Sequence, residues 1–301
     1  MDNVVSNDDS YPLVYSNEFV FQRQLLTLYD SLQSDDSDEV RNGLYETKSI
    51  VKKFTPGQIG SGFIDLFSEY PIDSALVRLM IFSQNEDARQ MAREIYENLV
   101  NIFDDEAKCL LLIHTVSDPK QHHHILNLIL ELYKKHSTDL SEDIFIGDNL
   151  LEMIKQGIRI CLPERNRTNV SERFAQIMAL LNFIRYIMIK NASKSSKTIL
   201  RSSNIKFIEH NFINNLEEAC KFTRNQHSEE LKRICELENN GNQSEEPIQP
   251  TELNILNDTG TGTETLPPGH EKQTIQILML NVDLIDDVII RVREIINEFD
   301  F

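Results

Sequence analysis

The chain has 301 residues, 40% of them hydrophobic and 26% charged, which is enough apolar material for one or two sizeable cores without disulfide or metal staples. Ten Gly and nine Pro are too few for a collagen-like chain or a turn-rich β-sandwich, and a net charge of −18 argues against general binding to nucleic acid or anionic membrane. The charge is uneven: residues 151–238 hold 15 basic and 10 acidic side chains between two acidic flanks, a basic middle that suits an acidic partner as well as an ordinary solvated surface.

Residues 1–16 are polar and acidic and read as a mobile amino terminus, with neither the basic nor the apolar region of a signal peptide. From Asn17 the apolar period is helical. Phe21, Leu25, Leu28 and Leu32 share one face, and the acidic run at 34–39 ends this helix and caps the next. Leu44, Ile50, Val51 and Phe54 carry helix to a Thr55-Pro56-Gly57 turn. Short helical stretches are expected over 59–67 and 75–82, separated by Tyr70-Pro71. Ala88, Met91, Ile95, Leu99 and Ile102 mark a further helix, and residues 107–116 an almost wholly apolar one. Ser117-Asp118-Pro119 reads as a stop and a new start, leading a helix to about His136. Another spans 146–161 and ends at Leu162-Pro163.

Residues 170–190 place apolar side chains nearly all round a helix, so it must be covered on more than one side. A Ser- and Lys-rich loop at 191–203 precedes a long polar helix over 204–238. Residues 239–265 read as a disordered linker, and a single closing helix follows Leu266-Pro267-Pro268. In that helix Ile275, Leu278, Val282, Ile285, Ile289, Val292, Ile296 and Phe299 repeat at spacings of three and four. Leu280, Leu284, Val288 and Ile295 form a second stripe that widens the apolar face. So wide a face favours packing in a groove of the chain's own helices over a narrow coiled-coil seam. No sustained alternation marks a strand. The expected fold is therefore all-α, a degenerate HEAT-like helical-repeat array (α-solenoid) over 17–238, onto which the helix of 266–301 packs back.

Chemistry-bearing clusters are weak. His122, His123 and His124 point about 100° apart on a helix and cannot converge on one ion, and Asp118 with His122 alone is too little for a metal site. Asp104, Asp105 and Glu106 suit a helix amino terminus. Adjacent carboxylates such as Asp286 and Asp287 do not make a catalytic pair, which needs groups converging from different elements. The glycines at 57, 60 and 62 lack the strand and the Lys-Ser/Thr of a phosphate loop. Cys109, Cys161, Cys220 and Cys235 form no Cys-x-x-Cys pair and read as buried free thiols in a reducing compartment, cytoplasmic or also nuclear. Five Asn-x-Ser/Thr triplets are then coincidences. Non-enzymatic function with no cofactor and no metal is expected.

The closing segment resembles a known family. Leu266-Pro267-Pro268, then Asp283-Leu284-Ile285, Val288, Arg291-Val292 and Glu294-Ile295-Ile296, are similar to the carboxyl-terminal end of the glomulin family, which includes the plant aberrant lateral root formation protein. The apolar run from Leu180 through Lys190, followed by a polar loop and the Asn211-Phe212 helix, matches as well. These motifs cover roughly residues 170–300. Members of the family are longer, with a further amino-terminal helical array, and their loop corresponding to 191–203 is more acidic and amide-rich than the Lys- and Ser-rich loop here.

The resemblance implies a non-enzymatic inhibitor of cullin-RING (SCF-type) ubiquitin ligases. It would bind the RING domain of the RING-box subunit, with its cullin, and block recruitment of the ubiquitin-conjugating enzyme. The candidate contacts are Arg185, Lys190, Lys206, Arg291 and Arg293. For any single one the preferred reading is a solvated charge or a structural pair; Arg185, within an apolar helix, also reads as a buried ion-pair partner, and for Arg291 either role is open. The competing expectation is a general helical-repeat scaffold or chaperone adaptor.

Overall fold

A computed structural model describes residues 17–64, 71–118, 123–137, 143–192, 199–240 and 270–298. Expectations for 1–16 and for most of the linker at 239–265 lie outside the described residues. Asn239 and Asn240 themselves still belong to a helix. The described residues are helical apart from loops and one isolated bridge.

Two helices, α1 (Asn17–Gln33) and α2 (Ser37–Val51), pack as a pair, and α3 (Ile72–Phe82) and α4 (Glu86–Ile102) form a second. Helix α1 also lies against α3, and α2 against α4. The same order recurs downstream. Helices α5 (Asp105–Ser117) and α6 (Ile125–His136) form one pair, and α7 (Asp148–Cys161) and α8 (Phe174–Ala192) another, with α5 against α7 and α6 against α8. The chain then runs through α9 (Ser202–Ile208), a π-helical turn (Glu209–Ile213) and α10 (Asn214–Asn240). It closes with α11 (Glu271–Glu298), which packs on α8 and α10.

Local chemistry explains many helix starts. The Asp38 amide donates to Asp36 Oδ1 (2.9 Å), the Ala88 amide to Asn85 Oδ1 (3.3 Å) and the Ala107 amide to Asp104 Oδ1 (2.8 Å). Each bond satisfies a donor that the first helical turn leaves open. Helix α7 begins at Asp148, two residues later than the apolar pattern suggests, because Gly147 precedes it with φ +65°, a conformation that breaks the helix and favours glycine.

Residues 59–64 depart from the expected helix. The Ile59 amide donates to Ile102 O (2.9 Å) and the Asp104 amide to Ile59 O (2.8 Å), a single parallel bridge between Ile59 and Phe103. Only a 3₁₀ turn (Ser61–Phe63) follows, and residues 65–70 lie outside the described ones. The bridge pins the segment beneath an aromatic cluster in which the Phe21 ring lies 5.0 Å from Phe54, 5.1 Å from Phe63 and 6.5 Å from Phe103. Burying Phe21, Phe63 and Phe103, with Phe54 packed beside them, outweighs the helical preference of a short stretch.

One buried cluster runs from Phe21 in α1 to Ile296 in α11. Helix α8 is covered on several sides: Ile177, Leu180, Leu181, Phe183, Ile184, Ile187 and Met188 are all buried, with α6, α7 and α11 against it. The approach of α7 depends on Gly157, where an added Cβ would sit 2.9 Å from Leu180 Cδ1. Cys109, Cys161 and Cys220 are buried as expected; Cys235 is only half-buried, because it sits on the polar α10. Burial raises the Cys109 thiol to about 11 and pushes Cys161 and Cys220 up as well, so these thiols are unreactive.

A polar group is buried between α3, α4 and α5. Asp73, its side chain 1% exposed, lies 3.5 Å from the Thr115 hydroxyl and 3.9 Å from His114 Nδ1, and Thr115 meets the Tyr96 hydroxyl at 3.0 Å. Burial outweighs the Ser74 backbone amide and His114 and raises the carboxyl from 3.8 to about 6. Below pH 3.8 Asp73 is neutral in both the folded and the unfolded chain. Between 3.8 and about 6 the unfolded chain ionises first, so stability falls as pH rises through that window and is level above it.

Asp73→Asn is expected to raise unfolding free energy at pH 7.5 by about 2–3 kcal/mol, with the gain vanishing near pH 4. Urea unfolding of both proteins across this range checks it, and an equal difference at every pH contradicts it. Gly157→Val is expected to destabilise by about 1–3 kcal/mol through overpacking against Leu180, read as a lower midpoint in the same titration.

Candidate partner-binding surface

The last helix is held on two levels. Ile275, Val282, Ile285, Ile289, Val292 and Ile296 are buried at spacings of three, four and seven, and form the stripe the sequence predicts; Leu278 is half-buried, and Phe299 lies outside the described residues. Ion pairs then flank the stripe. Arg224 of α10 reaches Asp283 (2.8 Å) and Asp286 (2.7 Å) of α11. In return, Arg293 of α11 reaches Glu217 of α10 (2.6 Å), Glu209 of the π turn (3.6 Å) and the Asn214 amide oxygen (2.8 Å). From Asp286 to Arg293 is seven residues forward along α11, and from Arg224 to Glu217 seven back along α10, so the two helices run antiparallel.

The second apolar stripe divides. Val288 and Ile295 pack against the core as partly buried residues. Leu280 and Leu284 do not: they are 61% and 49% exposed, and with Ile277 at 58% they make an apolar strip along the outer face of α11. Arg291, also exposed, continues the same side seven residues beyond Leu284.

The five candidate contact residues do not gather at one point. Arg293 is committed to the strut between α11 and α10. Arg291 lies two residues earlier, about 200° round the helix, facing water. Arg185 is half-buried on α8, its Nε enclosed with no hydrogen-bond partner, four residues before the exposed Ile189. Lys190 stands 5.9 Å from the Tyr186 ring, and Lys134 of α6 approaches that ring at 4.5 Å. Lys206 is exposed on α9. Of the loop at 191–203, residues 193–198 lie outside the described ones. Its ends are drawn together by Asn191, whose Oδ1 accepts from the Ile199 amide (2.9 Å) and the Leu200 amide (3.1 Å).

A groove of about 870 Å³ went unread in the sequence. Lys155, Arg159 and Arg165 line one side, from α7 and the turn after it; Phe207, His210 and Asn214 line the other, from α9, the π turn and α10. The widened turn leaves backbone carbonyls that side chains satisfy: the Asn211 amide donates to Phe207 O (3.0 Å), and the Asn215 amide to Asn211 O (2.9 Å). The basic excess of residues 151–238 was the one signal of this groove, since its walls come from segments some fifty residues apart.

Among the described residues no group of three or more His, Cys, Asp or Glu side chains is placed to hold a metal ion. His122 lies outside them. His123 and His124 stack at 4.3 Å, and His124 Nδ1 meets the buried Gln176 amide at 2.8 Å, which ties α6 to α8. Asp104 caps α5, and Asp286 is in the strut. No helix among the described residues is long and apolar enough to cross a membrane.

No family model matches the chain. It is similar to human glomulin, with 21% identity over 294 residues and 96% of this chain, and to mouse glomulin, with 21% identity over 295 residues. The similarity therefore reaches upstream of the motifs at 170–300 that first carried it. The chain spans about half the length of these curated relatives, 47% of each.

Arg293→Ala is expected to loosen α11 by about 1–2 kcal/mol, because it leaves Glu217 without its charge-assisted bond. Faster amide hydrogen exchange confined to α11 and the neighbouring part of α10 is the measurement; unchanged protection there would show the strut to be idle.

Proposed function

We propose that this chain, a relative of glomulin along nearly its whole length, is a non-enzymatic inhibitor of cullin-RING ubiquitin ligases that occupies the RING domain of the RING-box subunit and keeps the ubiquitin-conjugating enzyme out. It does so as a helical array of the HEAT type. The recurring order of contacts supports that architecture: pairs α1/α2 and α3/α4 stack first helix on first and second on second, and α5/α6 and α7/α8 repeat the arrangement. Such an array presents a broad, preorganised face, and inhibition by occlusion needs only a face of adequate affinity.

The observation that carries the reading is the uncovered strip of Ile277, Leu280 and Leu284 on the closing helix, beside the free Arg291. Contiguous exposed apolar side chains with an arginine at the margin have the composition of an interface centre. They lie on the helix whose motifs resemble the family. Arg291 has no ion-pair partner among the described residues, unlike Arg293, so it is the better of the two to meet a partner. Steric occlusion makes potency follow interface affinity, with no turnover to lose.

Adding the purified chain to a RING-box–cullin complex is expected to suppress ubiquitin-chain formation and to give a joint peak on a sizing column. Leu280→Glu with Leu284→Glu, with a circular dichroism melt to confirm folding, is expected to weaken inhibition at least about tenfold. Undiminished ligation at saturating protein, with no joint peak, would falsify the reading. A pull-down that then recovers chaperones without cullin components would favour the scaffold alternative.

A further inference from the structure

The groove between α7 and the π turn is separate in its residues from the apolar strip on α11, and its chemistry points to a different occupant. Arg159 and Arg165 are exposed and have no carboxylate partner among the described residues; Arg159 only receives the company of the Gln156 amide oxygen at 2.9 Å. Lys155 shares its charge with Glu152 at 3.6 Å and leans toward the Phe207 ring at 5.8 Å. The one acid on the lining, Glu218, is already paired with Lys221 at 2.8 Å. The groove is thus cationic within a chain of net charge −18.

Its other surfaces are those of a peptide site. Ile158, Leu162 and Pro163 add apolar lining beside Phe207. Asn211 and Asn215 use their amide N–H groups on backbone carbonyls, and their amide oxygens remain uncommitted to any described partner, as acceptors for backbone N–H groups. A nucleic acid is a poor fit: three cations and one aromatic ring give neither a phosphate track nor a stacking platform. A small inorganic anion is also poor, because the helix end that meets the groove is the carboxyl end of α7, where the dipole is negative. Full charges on Arg159 and Arg165 overcome that dipole for a ligand that also buries apolar surface.

We propose that this groove docks an extended acidic segment of a partner protein, with carboxylates on Arg159 and Arg165 and an apolar side chain over Phe207 and Leu162. The basic middle of the sequence is then a recognition feature concentrated in one place. Docking here stands apart from the RING-domain reading and survives its failure.

The test uses the full chain and a fluorescein-labelled decapeptide of Asp and Leu, with Asn-for-Asp and Lys-for-Asp analogues, followed by anisotropy. The Asp peptide is expected to bind saturably and more weakly as salt rises, and both analogues to lose binding. Arg159→Gln with Arg165→Gln, and separately Phe207→Ala, are expected to weaken it at least about tenfold, while Arg41→Gln on α2 stays within about twofold. Circular dichroism melts confirm that the variants fold. Equal binding of the Asn analogue, no loss in the arginine variant, no saturable binding up to about 1 mM, or equal displacement by a single-stranded oligonucleotide each overturns the proposal. Ligase inhibition by the arginine variant is read alongside. If inhibition is retained while the peptide is lost, docking here is confirmed as independent of RING occlusion; if inhibition is absent already in the parent chain, only the RING reading falls.

Discussion

Helix α8 cannot meet water on most of its circumference, and the arrangement of the downstream half follows from that. Seven of its large apolar side chains are buried, and burial at roughly 25 cal/mol per Å² makes any open side costly. Helices α6 and α7 cover two directions, and α11 covers a third. The closing helix is thereby part of the core, although a long stretch of sequence separates it from the rest. Its own buried stripe and the two reciprocal arginine struts then decide its direction and register. Hydrophobic burial supplies most of the attraction; the struts, being partly exposed, act mainly against sliding and rotation.

The same packing sorts the charges of the basic middle. Arg224 is spent on Asp283 and Asp286, and Lys221 on Glu218. Arg293 comes back from the acidic tail to Glu217 and Glu209. After these pairings Arg159, Arg165 and Arg291 stand uncommitted among the described residues. Two of them edge a groove with an apolar floor, and one edges an apolar strip. An acidic protein repels most acidic partners at a distance, so such local cationic points favour a particular orientation at encounter. Two chemically different faces therefore lie on one helical body.

Features that depend on neighbouring residues were legible in the sequence. Asp36 and Asp104 cap helices because an oxygen on the residue before a helix reaches open amides two or three positions on. The buried stripe of α11 was equally legible, since it follows from helical period alone. The stretch after Pro56 was not. Its pattern reads as helix, yet Ile59 is held by the backbone at Ile102 and Asp104, more than forty residues away, under the rings of Phe21 in α1 and Phe103 just past α4. The π turn was also hidden, because the asparagines that close its carbonyls look like ordinary polar helix residues until the extra residue in the turn is seen.

The candidate contacts divide along the same line. Arg291 lies within the matched motif and Arg293 two residues beyond it, and nothing in the sequence shows which of them a strut consumes. The strut consumes Arg293 and leaves Arg291 in water, because acids on α10 and the π turn happen to lie under one side of α11 only. Likewise Leu280 and Leu284 belong by period to the apolar face, but a helix resting on two neighbours can bury only part of its circumference, and these two face out. What the sequence by itself determined is the helical content, the helix ends with local caps, and the motifs at 170–300 that are similar to glomulin, all of which rest on short-range pattern. Which apolar stripe is covered, which arginines are free, and that Lys155, Arg159 and Arg165 share a groove with Phe207 were decided only by the tertiary structure, because each depends on side chains brought together from distant helices.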